Sequence, residues 1–268
     1  MPTIQNAGKV PSRSLLSKFA RAGAMKDFLD FLAFRDTAFF FDDFLGDTIN
    51  LDMYAVAKQG GTADSVFAIS VANSSGSGVV SASTGTDDNN ATSLVGPIIY
   101  KGDQNAGMTV RLKTDIVTGL NLEVGFIDAV PGSSASGTTD VDTPTAAFAD
   151  GAVLQIDTDQ TIATMAFVTK GSTSNQTIKA TTLGTFTTPT NAAFWTVTVQ
   201  LIGNDAICIV NNGVDSVMHT NGTGNNSAGH VEGGIALAPW VYVRTRNTTA
   251  KVTDLDYIGV WTDRSTSP

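Results

Sequence analysis

The chain carries only two glutamates, Glu123 and Glu232, two histidines, His219 and His230, and one cysteine, Cys208, so its capacity for side-chain chemistry is narrow. Glycoside hydrolysis with retention needs two carboxyl groups about 5 Å apart. Glu123 lies in Leu120-Asn-Leu-Glu-Val-Gly-Phe126 and has no alternating acidic partner, while Asp128 stands five residues on and falls on the other side of a strand. Read by alternation, Glu123 faces solvent between inward Leu122 and Val124. No Gly-x-Ser-x-Gly turn presents a serine nucleophile, and two histidines with one cysteine do not assemble a zinc site by spacing. The expectation is therefore a protein without catalysis. Oxygen ligands at short spacing, of the kind Ca²⁺ takes, occur at Asp87-Asp88-Asn89-Asn90, Asp140-Val-Asp142 and Asp157-Thr-Asp159. None matches a defined calcium loop, and the same residues stabilise turns, so no cofactor is assigned. Trp240 and Tyr242 alternate with Val241 and Val243. One pair must face the core and the other the opposite surface, and an open Trp240 or Tyr242 would offer a stacking platform to a glycan.

Strands must position these residues. Trp195, Val197, Val199 and Leu201 fall on one face at period two, with Thr196, Thr198 and Gln200 on the other. Gly203-Asn204-Asp205 provides a tight reversal, Ala206 to Val210 a return strand, and Asn212-Gly213 a second hairpin turn. The same alternation marks 107–114, with Met108, Val110 and Leu112 inward, and 120–126. The four residues Ile116–Gly119 between them are short enough for a hairpin. Further strands are expected at 66–71, 96–100, 153–156, 164–169, 235–245 and 252–262, interrupted by Ser-, Gly- and Asp-rich segments at 73–91, 131–146 and 220–230. Together these make an all-β sandwich with two sheets.

Composition sets the class. With 268 residues, 42% hydrophobic, the chain buries a full core as one domain. Charged residues are only 15%, so the solvent faces of the strands are largely hydroxyl and amide rather than ionic. The formal charge of −9 excludes a nucleic-acid binder, whose affinity comes from neutralising phosphates. A lone cysteine forms no internal disulfide, and Cys208, alternating with Ala206 and Val210, reads as a small buried hydrophobe. No clean secretory leader and no transmembrane run of about 20 apolar residues is seen, which leads to the expectation of a soluble protein without a membrane partner.

Residues 1–37 read as a separate arm. Up to residue 35 they hold six basic and two acidic residues, a net +4, leaving −13 on the remainder. Leu15, Leu16, Phe19, Phe28, Leu29 and Leu32 recur at helical spacing after the caps Ser12 and Ser14, with Gly23 as a weak point. This short helical arm either packs on its own sandwich or, with Arg21 and its basic neighbours, docks on a partner subunit. Residues 38–268 form the sandwich domain.

Three segments carry a resemblance. Phe41-Asp42-Asp43-Phe44-Leu45-Gly46 followed by Leu51 and Tyr54, the hairpin from Trp195 to Gly213, and Asp256-Tyr257-Ile258-Gly259-Val260-Trp261 resemble the opening, late and closing strands of concanavalin-like jelly rolls of the laminin-G and glucanase type, with Tyr54 where that opening strand usually has Trp. The glucanase branch carries Glu-x-Asp-x-x-Glu on a strand, which this chain lacks. With Leu237-Ala-Pro-Trp240-Val-Tyr-Val-Arg-Thr245, the arrangement is also similar to virion proteins of tailed bacteriophages. That likeness implies a non-enzymatic capsid-associated decoration or minor capsid protein, placed in the virion after assembly in the host cytoplasm. Its partners would be the major capsid protein or other virion proteins, and it would form a dimer or trimer. The alternative is a lectin-like module of a head or tail fibre that contacts glycans through Trp240 and Tyr242.

Overall fold

The computed structural model describes residues 37–46, 48–59, 66–69, 78–128, 148–159, 165–172, 179–182, 191–211, 216–221 and 231–264. The arm residues Leu15, Leu16, Phe19, Arg21, Phe28, Leu29 and Leu32, and the segment 131–146, lie outside them. Among the described residues fifteen strands follow in chain order: β1 Thr37–Asp42, β2 Ala55–Gln59, β3 Val66–Ile69, β4 Val80–Ser83, β5 Ala91–Val95, β6 Gly107–Thr114, β7 Leu120–Ile127, β8 Gly151–Asp157, β9 Met165–Lys170, β10 Lys179–Thr182, β11 Trp195–Ile202, β12 Asp205–Asn211, β13 Ser216–Asn221, β14 Ala238–Thr245 and β15 Val252–Asp263. Thr37, read as the end of the arm, already begins β1.

The strands form two antiparallel sheets. The first runs β13-β12-β11-β6-β15-β4-β3 with β1 also on β15, and the second runs β10-β9-β8-β7-β14-β5-β2. β15 joins the first sheet along its whole length. Val252–Leu255 pair with β4, Ile258–Asp263 pair with β1, and β6 flanks the other side with a register shift between Leu255 and Tyr257. This is the two-sheet all-β sandwich expected from alternation. Met108, Val110, Leu112, Leu122, Val124, Phe126, Val197, Val199 and Leu201 all meet in the core between the sheets, as their period predicts. Each such side chain contributes about 1.5–3 kcal/mol on burial. Cys208 joins them, 1% exposed, and burial pushes its thiol above the ordinary range.

Four expectations are corrected. Ile116–Gly119 does not close a hairpin: β6 pairs with β11 and β15, β7 with β14 and β8, so this segment crosses from one sheet to the other. Gly119 takes φ +67° in that crossing, and Arg246 N–H donates to its carbonyl at 2.8 Å. A short loop fits either geometry, and alternation does not name a strand's partner. The segment 73–91, read as loop, contains β4, where Val80 and Ala82 enter the core and Ser81 and Ser83 do not. Its inward residues are too small to stand out in a Ser-rich stretch. Residues 96–100 form no strand; only Tyr100 bridges to Leu237. The segment 220–230 likewise opens inside β13.

The two outer faces differ. On the first sheet, Arg111 pairs with Asp256 and Lys113 with Asp254 at 3.3 Å, and both cations lie over the Phe194 ring, so this face is partly ionic and solvated. On the second sheet the face away from the core is itself buried, as a second cluster that includes Val95, Val153, Val168, Trp240 and Tyr242.

Candidate functional site

The buried outer face of the second sheet gathers the polar groups that no strand period explains. Its central strands are β8, β7, β14 and β5, and register places their outward residues in three rows. Asp157, Asn121, Arg244 and Ala91 form one row; Gln155, Glu123, Tyr242 and Ser93 the next; Val153, Gly125, Trp240 and Val95 the third. The face is therefore charged at one end and apolar at the other.

Glu123 sits in the middle row and is wholly buried. Its expected place in solvent is thus corrected: alternation set its face correctly, but this sheet is covered on both faces. The indole Nε1–H of Trp240 donates to Glu123 Oε2 at 3.0 Å, which fixes the carboxylate's orientation. Trp240 stacks on Tyr242 with ring centroids 5.6 Å apart and planes 11° from parallel. Both rings lie on the outward face, as one of the two alternatives required, yet they are 1% and 2% exposed, so neither offers an open platform. Burial, then the Glu123 charge, pushes the Tyr242 phenol well above its ordinary range, against the pull of Arg244 and Arg246, so the phenol keeps its proton at neutral pH.

Around Glu123 several hydrogen-bonding atoms are unused. Asn121 Nδ2 and Oδ1, Gln155 Nε2 and Oε1, and Tyr242 Oη are buried without a hydrogen-bond partner. A buried group left in that state costs about 1–3 kcal/mol, so five such atoms on one face represent a concentrated penalty. At the charged end Asp157, wholly buried, forms an ion pair with Arg246, and Arg244 donates through Nη2 to Asn89 Oδ1. Burial raises Asp157 above the ordinary carboxylate range while the Arg246 charge pulls it back.

The remaining acidic residues sit elsewhere. Asp128 lies just past the end of β7, where its Oδ1 accepts from Ala149 N–H at 3.1 Å. Asp150 begins the turn into β8; its Oδ2 accepts from Ser172 N–H at 3.1 Å and Glu232 N–H at 3.0 Å. Burial pushes the Asp150 carboxyl up to about 7, helped by the charges of Asp128 and Glu232 and opposed by those two amide donors. Because this value lies above the ordinary 3.8 of an unfolded chain, the group favours folding most at low pH. Stability then falls as pH rises from about 4 to 7 and is flat in this group above that. Asp150→Asn, which keeps an acceptor for both amides, is expected to gain on wild type by an amount on the order of 2–4 kcal/mol between pH 4 and pH 8, read by urea denaturation at the two pH values. A constant difference would show that Asp150 is ionised throughout.

Asp87 and Asp88 are exposed turn residues, Asp157 is held by Arg246, and Asp140, Asp142 and His230 lie outside the described residues, as does the side chain of His219. Among the described residues no three His, Cys, Asp or Glu side chains gather to hold a metal, and no helix is long and apolar enough to cross a membrane. Sequence reasoning missed Asn121, Gln155, Arg244 and Arg246, and read Asp157 as a calcium-ligand or turn residue rather than as the partner of Arg246. The available signal was polar residues at period two on three strands, with amides where a solvated sheet carries lysine or glutamate.

No family model and no curated protein matches the chain. Solved structures do. A protein of unknown function from Shewanella oneidensis aligns over 91% of this chain and 96% of its own, at 13% identity and TM-score 0.56. The carbohydrate recognition domain of Emp47p aligns over 86% and 98%, at 10% identity and TM-score 0.54. An immunostimulatory antigen and pseudo β-1,3-glucanase of Mycobacterium tuberculosis aligns over 84% and 98%, at 9% identity and TM-score 0.53. At these identities the likeness is one of fold: the chain is a concanavalin-like jelly-roll β-sandwich, an architecture it shares with carbohydrate-recognition and glucanase-like proteins.

Proposed function

We propose that the protein is a non-hydrolytic carbohydrate-binding module whose ligand lies on the outer face of the second sheet. The observation that carries this reading is the set of unused polar atoms on Asn121, Gln155 and Tyr242 around a carboxylate oriented by Trp240. Sugar hydroxyls both donate and accept, and two side-chain amides, a phenol and a carboxylate are their complement. The fold likeness to a carbohydrate recognition domain supports the same direction. This face is buried, so binding of a glycan on it includes opening it, and the observed affinity is lowered by the scarcity of the open state.

Hydrolysis finds no second carboxylate in reach of the role. Two residues from Glu123 on its own strand stands Gly125, where an added Cβ would lie 2.1 Å from the Ala152 carbonyl oxygen, so no acidic side chain fits there. Asp157, on the neighbouring strand, is committed to Arg246. Attachment to a viral shell rests on the resemblance and on an arm outside the described residues.

The test is a glycan array with wild type and the Asn121→Ala, Gln155→Ala double variant, alongside a reducing-end assay on any polysaccharide retained. Two lost amides, each at about 0.5–1.5 kcal/mol, weaken binding by about fivefold to 150-fold. The variant should meanwhile fold as well as wild type or better, because it removes unpaired buried atoms. Retention of no glycan overturns the reading, and release of reducing ends overturns its non-hydrolytic part.

A further inference from the structure

We infer that the charged end of this face recognises an anionic substituent on the sugar, a carboxylate or sulfate, through Arg244. The inference rests on the carbohydrate-binding reading and adds the ligand's class to it. Arg244 is the half-buried member of its row, at the rim where the covered face meets solvent, and its Nε–H has no acceptor. The other cation at this end, Arg246, is matched by Asp157, whereas the partners of Arg244 are neutral: the amide oxygen of Asn89, which steadies the guanidinium through Nη2, and the neighbouring Tyr242 phenol. Beside it in register, Asn121 adds a buried amide with both atoms unused. A guanidinium N–H next to an amide donor is an arrangement that a planar anion satisfies with charge-assisted hydrogen bonds, and a neutral hydroxyl satisfies only in part.

Spacing bears on how such a ligand would lie. Glu123 is one row further along β7, two residues from Asn121 and so about 7 Å along the strand. That is roughly the span of one sugar ring, which places an anion at Arg244 with hydroxyls of the same or the next ring at Glu123 and Gln155. The Glu123 carboxylate then meets hydroxyl donors and not the anion, so the two like charges stay apart.

The experiment measures binding of the full chain to three probes by titration calorimetry: oligogalacturonate, the same oligosaccharide as its methyl ester, and a sulfated galactan oligosaccharide. The expected result is binding of at least one anionic probe at least tenfold tighter than the neutral ester, with the preference shrinking as salt rises from 50 to 500 mM. Which anionic probe binds tighter separates carboxylate from sulfate recognition. Arg244→Gln should remove the preference by weakening the anionic probes at least tenfold more than it weakens the ester, and Arg244→Lys should restore part of it. Equal binding of ester and anionic probes, a preference insensitive to salt, or a preference surviving in Arg244→Gln overturns the inference while the carbohydrate-binding reading stands. Should Arg244→Gln fail to fold, the salt series on wild type decides. Failure of all three probes, together with an empty glycan array, overturns the underlying reading as well.

Discussion

Gly125→Ala is expected to destabilise the protein by about 3 kcal/mol or more, a drop in melting temperature on the order of 10 °C. The added Cβ would stand 2.1 Å from Ala152 O and 2.7 Å from Val153 Cα, and both obstacles are backbone of the adjacent strand β8. No side chain can rotate away to make room, so β7 and β8 must separate where Gly125 pairs with Val153. A useful contrast is Gly203→Ala in the β11–β12 turn. There φ is +56° but nothing lies within 4 Å of the new atom, so only the left-handed strain of about 1–2 kcal/mol applies. Calorimetric scans of the two variants check the argument. Equal losses would mean that the close approach of β8 is not what demands glycine. The larger loss at Gly125 would also explain why this sheet cannot carry a carboxylate two residues from Glu123.

Arg246→Ala is expected to cost about 3–5 kcal/mol at neutral pH, since it leaves a buried carboxylate without its counter-charge. The pair is asymmetric: the Asp157 side chain has no exposure and Arg246 keeps 15%, so removing the arginine strands the more buried partner. Burial already holds Asp157 above the usual carboxylate range, and without Arg246 that elevation grows. A raised folded-state value means that the deficit is greatest once the carboxyl is ionised and shrinks as pH falls through that value toward 4, where the neutral acid needs no partner. Asp157→Asn in the same chain should recover most of the loss at pH 8. Urea midpoints of the single and double variants at pH 5 and pH 8 decide it. A deficit independent of pH, or one the asparagine fails to relieve, would assign the effect to packing of the arginine stem.

The elements legible in the sequence were those with large apolar residues at strict alternation, such as Met108, Val110 and Leu112 in β6 or Val197, Val199 and Leu201 in β11. The segments around Phe41 and Tyr257 were also read, by resemblance, as the opening and closing strands, and they pair with each other as Phe41 opposite Gly259. β4 escaped because Val80 and Ala82 are small, and β5 because all five of its residues are buried and show no period. The candidate face was hidden for a related reason. Alternation tells which residues share a face but not whether that face meets water, so Asn121, Glu123 and Gln155 read as solvated when the sheet is covered on both sides. Only the scarcity of lysine and glutamate on those outward positions pointed the other way.

The placement of β15 bears on how the chain reaches this state during synthesis. β1, β4 and β6 all hydrogen-bond to that one strand, and the Thr37 hydroxyl meets the Asp263 carboxylate across 226 positions of sequence. Of the described strands it leaves the ribosome last. Until Val252–Asp263 emerge, β1 has no neighbour and β6 is paired on one side only, while β7, β8, β9 and β14 already have theirs. Contacts so distant in sequence form slowly. The second sheet, with its polar face, is thus in a position to assemble on the nascent chain, while the first waits with an open seam for its final strand. A chain interrupted before residue 252 would retain that seam, a row of unanswered backbone donors and acceptors of the kind that draws strands from other molecules.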